Sequence, residues 1–331
     1  MTTTLGRREL IATLAGTMVA WPLAGVAQVS PKRPLIAWLS GGLQTTSLTF
    51  VESFLHGMLE LGYVEGRDFD MVYRFSAGIQ DRLPALAEEV VRLKPFVILA
   101  AAVGQAVVAR NVTSTIPIVC PALADASHLG LIASEARPGG NVTGIEPYVA
   151  GLPAKQMELA REIVPGASRV ALLTDLGDPK APPQVQELEA AARTLEVKIA
   201  AADASRPDKI DSAFQALANE RADVVIVLQT SMLLSQSRQI AELALAKRLP
   251  TVYGYREHVA AGGLISYGVD LRWCYHRGAY FVDKILHGTA AGDLPVEFPT
   301  KLVLAINLKT ASTLGITVPP MLLARVDEVI E

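Results

Sequence analysis

From Pro34 onward the chain alternates short, continuous apolar runs with longer amphipathic stretches, and it does so twice over. Leu35-Ile36-Ala37-Trp38-Leu39 reads as a strand buried on both faces, and it ends in the turn residues Ser40-Gly41-Gly42. From Ser47 to Leu61 the apolar residues Phe50, Phe54, Leu55, Met58 and Leu61 recur at helical spacing, and Gly62 stops that helix at its C-terminal end. A strand from Phe69 to Tyr73, a helix from Asp81 to Leu93, a strand from Phe96 to Ala100, a helix from Gln105 to Asn111 and a strand opening at Ile116 follow. Strand–helix units of this length predict a doubly wound parallel sheet, because a parallel pair needs a crossover that covers a sheet face.

After the dense turn signal Pro138-Gly139-Gly140-Asn141, a crossing strand from Val142 to Ile145 is expected, and then the pattern restarts. Helices are predicted over Leu152–Ile163, Pro182–Leu195 and Asp208–Glu220, with strands at Arg169–Leu173, Val197–Ala200 and Val224–Leu228. The halves superpose as patterns: Phe96–Leu99 leads through a helix to Ile116-Pro117-Ile118-Val119, and Val224–Leu228 leads through a helix to Leu249-Pro250-Thr251-Val252. This duplication predicts an α/β fold of two Rossmann-like lobes with a hinge and an interlobe cleft. The later pieces, a strand near Leu264–Tyr267, a helix from Leu271 to Leu286 and a strand at Val303–Ile306, are too few for a third domain and are expected to complete the two lobes. The expected division is residues 34–143 plus about 267–292 for lobe 1, and 144–266 plus about 293–331 for lobe 2.

Composition narrows the function classes. Half of the residues are hydrophobic and only 6% aromatic, so the interior is built mainly of Ala, Val, Ile and Leu, as in helix-covered parallel sheets. Lys+Arg number 30 against 33 Asp+Glu, a net charge of −3 that argues against a nucleic-acid partner. Cys120 and Cys274 are too far apart in sequence to form a metal motif or a disulfide framework, and they read as buried thiols.

Residues 1–27 read as an export signal. Arg7-Arg8 precede an uncharged stretch from Leu10 to Ala27 that closes on the small residues Ala24-Gly25-Val26-Ala27. The paired arginines followed by Glu9-Leu10-Ile11 match the twin-arginine type, which exports folded proteins. Thr13, Gly16, Thr17 and Pro22 make the stretch a poor permanent span, so a periplasmic mature chain is expected.

In open parallel sheets ligands bind beyond the carboxyl ends of the strands. Those positions, with the tyrosines of the rim, nominate Ser40, Gly41, Gly42, Ala102, Gln105, Asp125, Tyr148, Thr174, Gln229, Tyr253 and Tyr267 as ligand-binding residues. Plainer readings stand beside them: the Ser40 segment as a tight turn, Asp125 as the cap of a helix around Leu129–Ala136, the tyrosines as half-buried aromatics. Catalytic and metal signatures are missing. The five histidines form no H-E-x-x-H or H-x₃-H pair, His56 and Glu60 read as a surface pair on one helix, and no Walker A or G-x-S-x-G motif occurs. Neither a cofactor, a metal nor catalytic residues are expected.

Several segments resemble the TrpX-like ABC transporter substrate-binding proteins, which have the type I periplasmic binding protein fold. They are Leu61-Gly62-Tyr63-Val64-Glu65-Gly66-Arg67, Asp81-Arg82-Leu83-Pro84-Ala85-Leu86-Ala87, Ala136-Arg137-Pro138-Gly139-Gly140-Asn141-Val142-Thr143-Gly144 and Ala261-Gly262-Gly263-Leu264-Ile265-Ser266-Tyr267-Gly268. Tyr253-Gly254-Tyr255-Arg256-Glu257 and the terminal Ala324-Arg325-Val326-Asp327-Glu328-Val329-Ile330 extend the likeness across the chain. The resemblance implies a monomeric binding protein that closes on a small-molecule ligand, an aromatic or apolar amino acid or a related carboxylate, and docks on an ABC permease with its ATPase. Two departures bear on the ligand. Ala101 and Val103 stand where relatives often carry Ser and Thr, and Ala124-Asp125-Ala126 replaces a Gly-Asp-Pro. A periplasmic ligand sensor for a membrane receptor and a cleft enzyme are the alternatives.

Overall fold

The computed structural model describes residues 33–147 and 149–331. The expected export signal and Tyr148 lie outside the described residues.

The first lobe is built in chain order from β1 (Leu35–Ser40), α1 (Gln44–Glu60), β2 (Asp70–Phe75), α2 (Leu83–Arg92), β3 (Val97–Ala100), α3 (Val103–Val112), β4 (Ile118–Cys120) and β5 (Val142–Gly144). Its sheet runs β2-β1-β3-β4-β5 with every pair parallel. The central strands β1 and β3 carry the apolar runs, and residues 36–40 and 97–100 are all buried, whereas the edge strand β2 is only half-buried. A segment buried on both faces leaves no position for a polar side chain, which is why these strands read as unbroken apolar runs.

The second lobe begins with α4 (Leu152–Ile163), β6 (Arg169–Thr174), α5 (Ala181–Thr194), β7 (Lys198–Asp203), α6 (Ile210–Asn219) and β8 (Val224–Val227). It continues with α7 (Ser231–Ser235), α8 (Ser237–Ala246), β9 (Thr251–Tyr253), α9 (Arg256–Ala260) and β10 (Ile265–Val269). The chain then returns to the first lobe as α10 (Leu271–Leu286) before ending in the second with β11 (Leu302–Asn307), α11 (Leu308–Leu314), α12 (Pro320–Leu323) and β12 (Glu328–Ile330). The sheet order is β12-β11-β10-β9-β8-β6-β7. All of its pairs are parallel except β10 with β11, because the excursion through α10 brings the chain back from the opposite end.

The long α10 packs along α1 and completes the core of the first lobe through Cys274, Tyr275, Phe281 and Val282. Gly57 makes that approach possible: a Cβ on it would stand 2.4 Å from the backbone oxygen of His276. One expectation fails locally. No helix forms over 129–136; turns and bends run there instead, closed by bonds such as Ala133 N–H to the Pro138 oxygen. Asp125 therefore caps no helix and sits at φ +50°. The Pro138-Gly139-Gly140 turn draws the segment back on itself before a helical turn can propagate.

Candidate functional site

The two sheets present the carboxyl ends of their strands to one another, and the lobes are closed over a small cavity. Leu234 on α7 of the second lobe packs against the core of the first, and Gly42 faces Ser235 across the gap.

From the first lobe, the end of β1 and its following turn supply Ser40, Gly41 and Gly42, and the loop after β3 supplies Ala101 and Ala102, with Gln105 in the first turn of α3. Ser40 holds the turn itself: its Oγ accepts the Gly42 N–H at 3.1 Å and lies 3.3 Å from Ser47 Oγ. Gly41 leaves room for Gln105, whose Nε2 would lie 2.6 Å from a Cβ there. The turn thus serves the backbone and borders the cavity at once. Thr46 and Ser47 in the first turn of α1 also line it, and no side chain caps that helix, so its leading N–H groups are left as donors.

The floor is aromatic. Tyr275 stacks on Trp38 at 5.4 Å between centroids and on Phe50 at 4.6 Å, each with planes 22° apart. The Tyr275 hydroxyl donates to the Ala101 oxygen at 2.6 Å, so this ring is held at both ends. The Trp38 indole Nε1 and Gln105 Oε1, both buried in the lining, have no partner among the described residues. A buried donor and a buried acceptor left open in one cavity favour a ligand that supplies the complements.

The second lobe contributes Ser231, Leu234, Ser235, Tyr255 and Lys180. Lys180 precedes α5, is only 6% exposed, and among the described residues is the one charged side chain in the lining. Burial works against its charge, but the oxygen of Tyr255 and the Asp178 carboxylate outweigh it and keep the ammonium above its ordinary range. Asp178 is otherwise taken up by backbone donors, accepting Lys180 N–H at 3.0 Å and Ser231 N–H at 3.1 Å. It thereby fixes the start of α5 against the start of α7, and with them the position of Lys180. No His, Cys or carboxylate lines the cavity among the described residues, so it holds no ligand set for a metal ion.

The expected site residues divide by position. Ser40, Gly41, Gly42, Ala102 and Gln105 border the cavity. Asp125 borders an adjoining recess that shares Lys180 and includes His128 and Glu146. Its Oδ1 lies 2.5 Å from His128 Nδ1, and its backbone N–H donates to Glu146 Oε1 at 3.0 Å. Burial raises the Glu146 carboxyl above the usual range. Thr174 turns toward the neighbouring strand, donating to the Ala202 oxygen at 3.3 Å. Gln229 is held by Gln184, which accepts its backbone N–H at 2.8 Å and donates to its carbonyl at 3.3 Å. Tyr253 is stacked on His258 inside the second core, and Tyr267 borders a separate recess with Lys155 and Arg325. Sequence reading passed over Lys180, Trp38, Phe50 and Tyr275. Lys180 lies within the loop that follows β6 and was open to the same strand-end rule; Trp38 and Tyr275 read as core and only the tertiary contact brings them together.

The chain matches the family described as ABC transporter substrate binding protein over residues 45–330. The tyrosine-binding protein of Clostridioides difficile is 23% identical over 263 residues, covering 80% of this chain and 75% of that protein. Among solved structures, an ABC domain in complex with L-Trp from Streptococcus pneumonia superposes with a TM-score of 0.83 at 21% identity, covering 90% of this chain and all of the other. A conserved domain protein from Vibrio cholerae superposes at 0.81 with 26% identity, over 90% and 99% of the two chains. With two lobes of type I periplasmic binding protein architecture closed on a shared cavity, and with this family match across most of its length, the chain belongs to the ABC transporter substrate-binding proteins.

Proposed function

We propose that this protein captures a small carboxylate with an aromatic or apolar body between its lobes and hands it to an ABC permease and its ATPase, acting as an exported periplasmic monomer that does no chemistry on its cargo. The observation that carries the reading is Lys180, a buried cation offered by one lobe to a cavity whose other lobe supplies the stacked rings of Trp38, Tyr275 and Phe50. An anion entering the gap gains a desolvated charge partner only when the lobes meet, so binding energy goes into closure. The free N–H groups of α1 suit the same carboxylate, and Gln105 Oε1 accepts from an N–H or O–H on the body of the ligand. The relatives named for tyrosine and solved with L-Trp point to the same ligand class. Asp125, the carboxylate among the expected site residues, lies off the cavity lining.

The test is calorimetric titration and thermal-shift screening of the processed protein against aromatic and branched amino acids, aromatic carboxylic acids and small dicarboxylates. Saturable binding of an aromatic or apolar carboxylate, with a raised melting temperature and an unaltered ligand recovered afterwards, is expected. Binding confined to solutes that carry no carboxylate defeats the ligand assignment, and a chemically altered ligand defeats the transport reading.

A further inference from the structure

Away from the cleft, α10 brings a third side chain onto a pair that α1 already sets side by side. His56 and Glu60 lie four residues apart on α1, and His276 on α10 reaches the same carboxylate. His56 Nδ1 stands 3.4 Å from Glu60 Oε1, and His276 Nε2 stands 3.0 Å from Glu60 Oε2. The two imidazole rings are 5.6 Å apart between centroids, and one donor atom from each of the three residues fits within 4.8 Å of the others.

We propose that His56, Glu60 and His276 form a surface site for a borderline divalent transition ion, of which Zn²⁺ is the natural probe. Three arguments support it. Zinc bonds to imidazole nitrogen and carboxylate oxygen run about 2.0–2.2 Å, so tetrahedral donors sit about 3.3 Å apart; the two nitrogen-to-carboxylate separations of 3.4 and 3.0 Å match that spacing, and a small turn of these exposed side chains draws in the remainder of a donor set that spans up to 4.8 Å. Two imidazoles and one carboxylate are the ligand types such ions select, whereas Mg²⁺ and Ca²⁺ demand oxygen sets. The scaffold is also rigid. Gly57 brings α1 onto the His276 backbone, and the Tyr63 hydroxyl donates to Asp283 Oδ1 at 2.9 Å further along the same helix pair. The donors are thus placed by packed helices rather than by a loop. The side chains remain reachable, with 63%, 56% and 36% of His56, Glu60 and His276 exposed, which leaves the fourth coordination position to water.

The experiment uses untagged, chelator-treated protein, titrated with Zn²⁺ in a calorimeter and followed by melting temperature, with Mg²⁺ and Ca²⁺ as controls. One equivalent of Zn²⁺ in the micromolar range is expected, with a rise in melting temperature and no response to either control. His56→Ala and His276→Ala should each weaken binding about tenfold or more, and the double variant should abolish it. No heat and no thermal shift at about a hundredfold molar excess of Zn²⁺ overturns the proposal. So does undiminished binding by the His56→Ala/His276→Ala protein. Circular dichroism checks that the variants fold, and any response of melting temperature to L-Trp or L-Tyr should be the same in them as in the wild type, which separates this proposal from the function assigned to the cavity.

Discussion

Tyr275, on the helix that follows the return from the second lobe, lies face to face on the indole of Trp38, a residue of the first strand, while its hydroxyl donates to the carbonyl of Ala101. One side chain thus joins the first strand, the loop after β3 and α10, and it does so as part of the cavity wall. Its two contacts are separable. Tyr275→Phe keeps the ring and loses the bond to Ala101, at a cost of about 1 kcal/mol in unfolding free energy. Tyr275→Ala removes the ring as well and should cost about 3–5 kcal/mol and most ligand affinity. Urea denaturation and calorimetry decide it; equal losses in the two variants would show that stacking contributes nothing.

Lys180 brings a charge to the cavity lining. Lys180→Met retains the stem and deletes the ammonium, leaving Asp178 its two backbone donors. Affinity for a carboxylate ligand should fall about thirtyfold or more, corresponding to ~2 kcal/mol or more, with little change in melting temperature of the unliganded protein. Unchanged affinity would remove Lys180 from the site.

Glu257 supplies a dependence on pH. Burial lifts its carboxyl to about 7, against a bond from its own backbone N–H and the charge of Arg256, with Asp270 adding to the rise and Arg272 opposing it. An acid whose folded value lies above its unfolded one binds more protons in the native state, so its contribution to stability falls as pH rises from about 4.5 and levels off above about 7. Glu257→Gln should match the wild type near pH 4.5 and exceed it at pH 8, by an amount on the order of 2–3 kcal/mol. The neighbouring His258, lowered to about 4 by burial, works in the opposite sense, gaining stability as pH climbs toward its unfolded value. The paired comparison cancels it. A constant difference at all pH values would contradict the assignment.

Two glycines should respond with opposite signs. At Gly57 a methyl group meets the His276 oxygen at 2.4 Å, so Gly57→Ala should push α1 from α10 and cost about 1–3 kcal/mol. At Gly104, the second residue of α3, a methyl group meets nothing within 4 Å, and Gly104→Ala should add about 0.5–1 kcal/mol by restricting the unfolded chain. Chemical denaturation of both variants measures the contrast.

Much of the architecture was legible because buried strands and amphipathic helices leave a periodic imprint. Leu35–Leu39 and Val224–Val227 are unbroken apolar runs since both of their faces are covered, and the helix of Leu152–Ile163 has the bounds its spacing predicts. The segment over 129–136 misled because its apolar content resembles a helix while the following Pro-Gly-Gly turn forbids one.

The site was legible only in part. Residues just beyond β1 and β3 reach the cavity because strand ends of a parallel sheet must face the cleft. Gln229 and Thr174 occupy equivalent strand ends but are captured by Gln184 and by the neighbouring β7, partners that no local pattern announces.

The order of strands and helices, the doubling of the pattern and the turn at Ser40-Gly41-Gly42 follow from the chain alone, because hydrophobic periodicity and backbone freedom are properties of neighbouring residues. The meeting of Lys180 with Trp38 and Tyr275, and of His276 with Glu60, was decided by tertiary structure. Those partners stand 95 to 216 residues apart, and only lobe closure and the packing of α10 on α1 bring their side chains within reach.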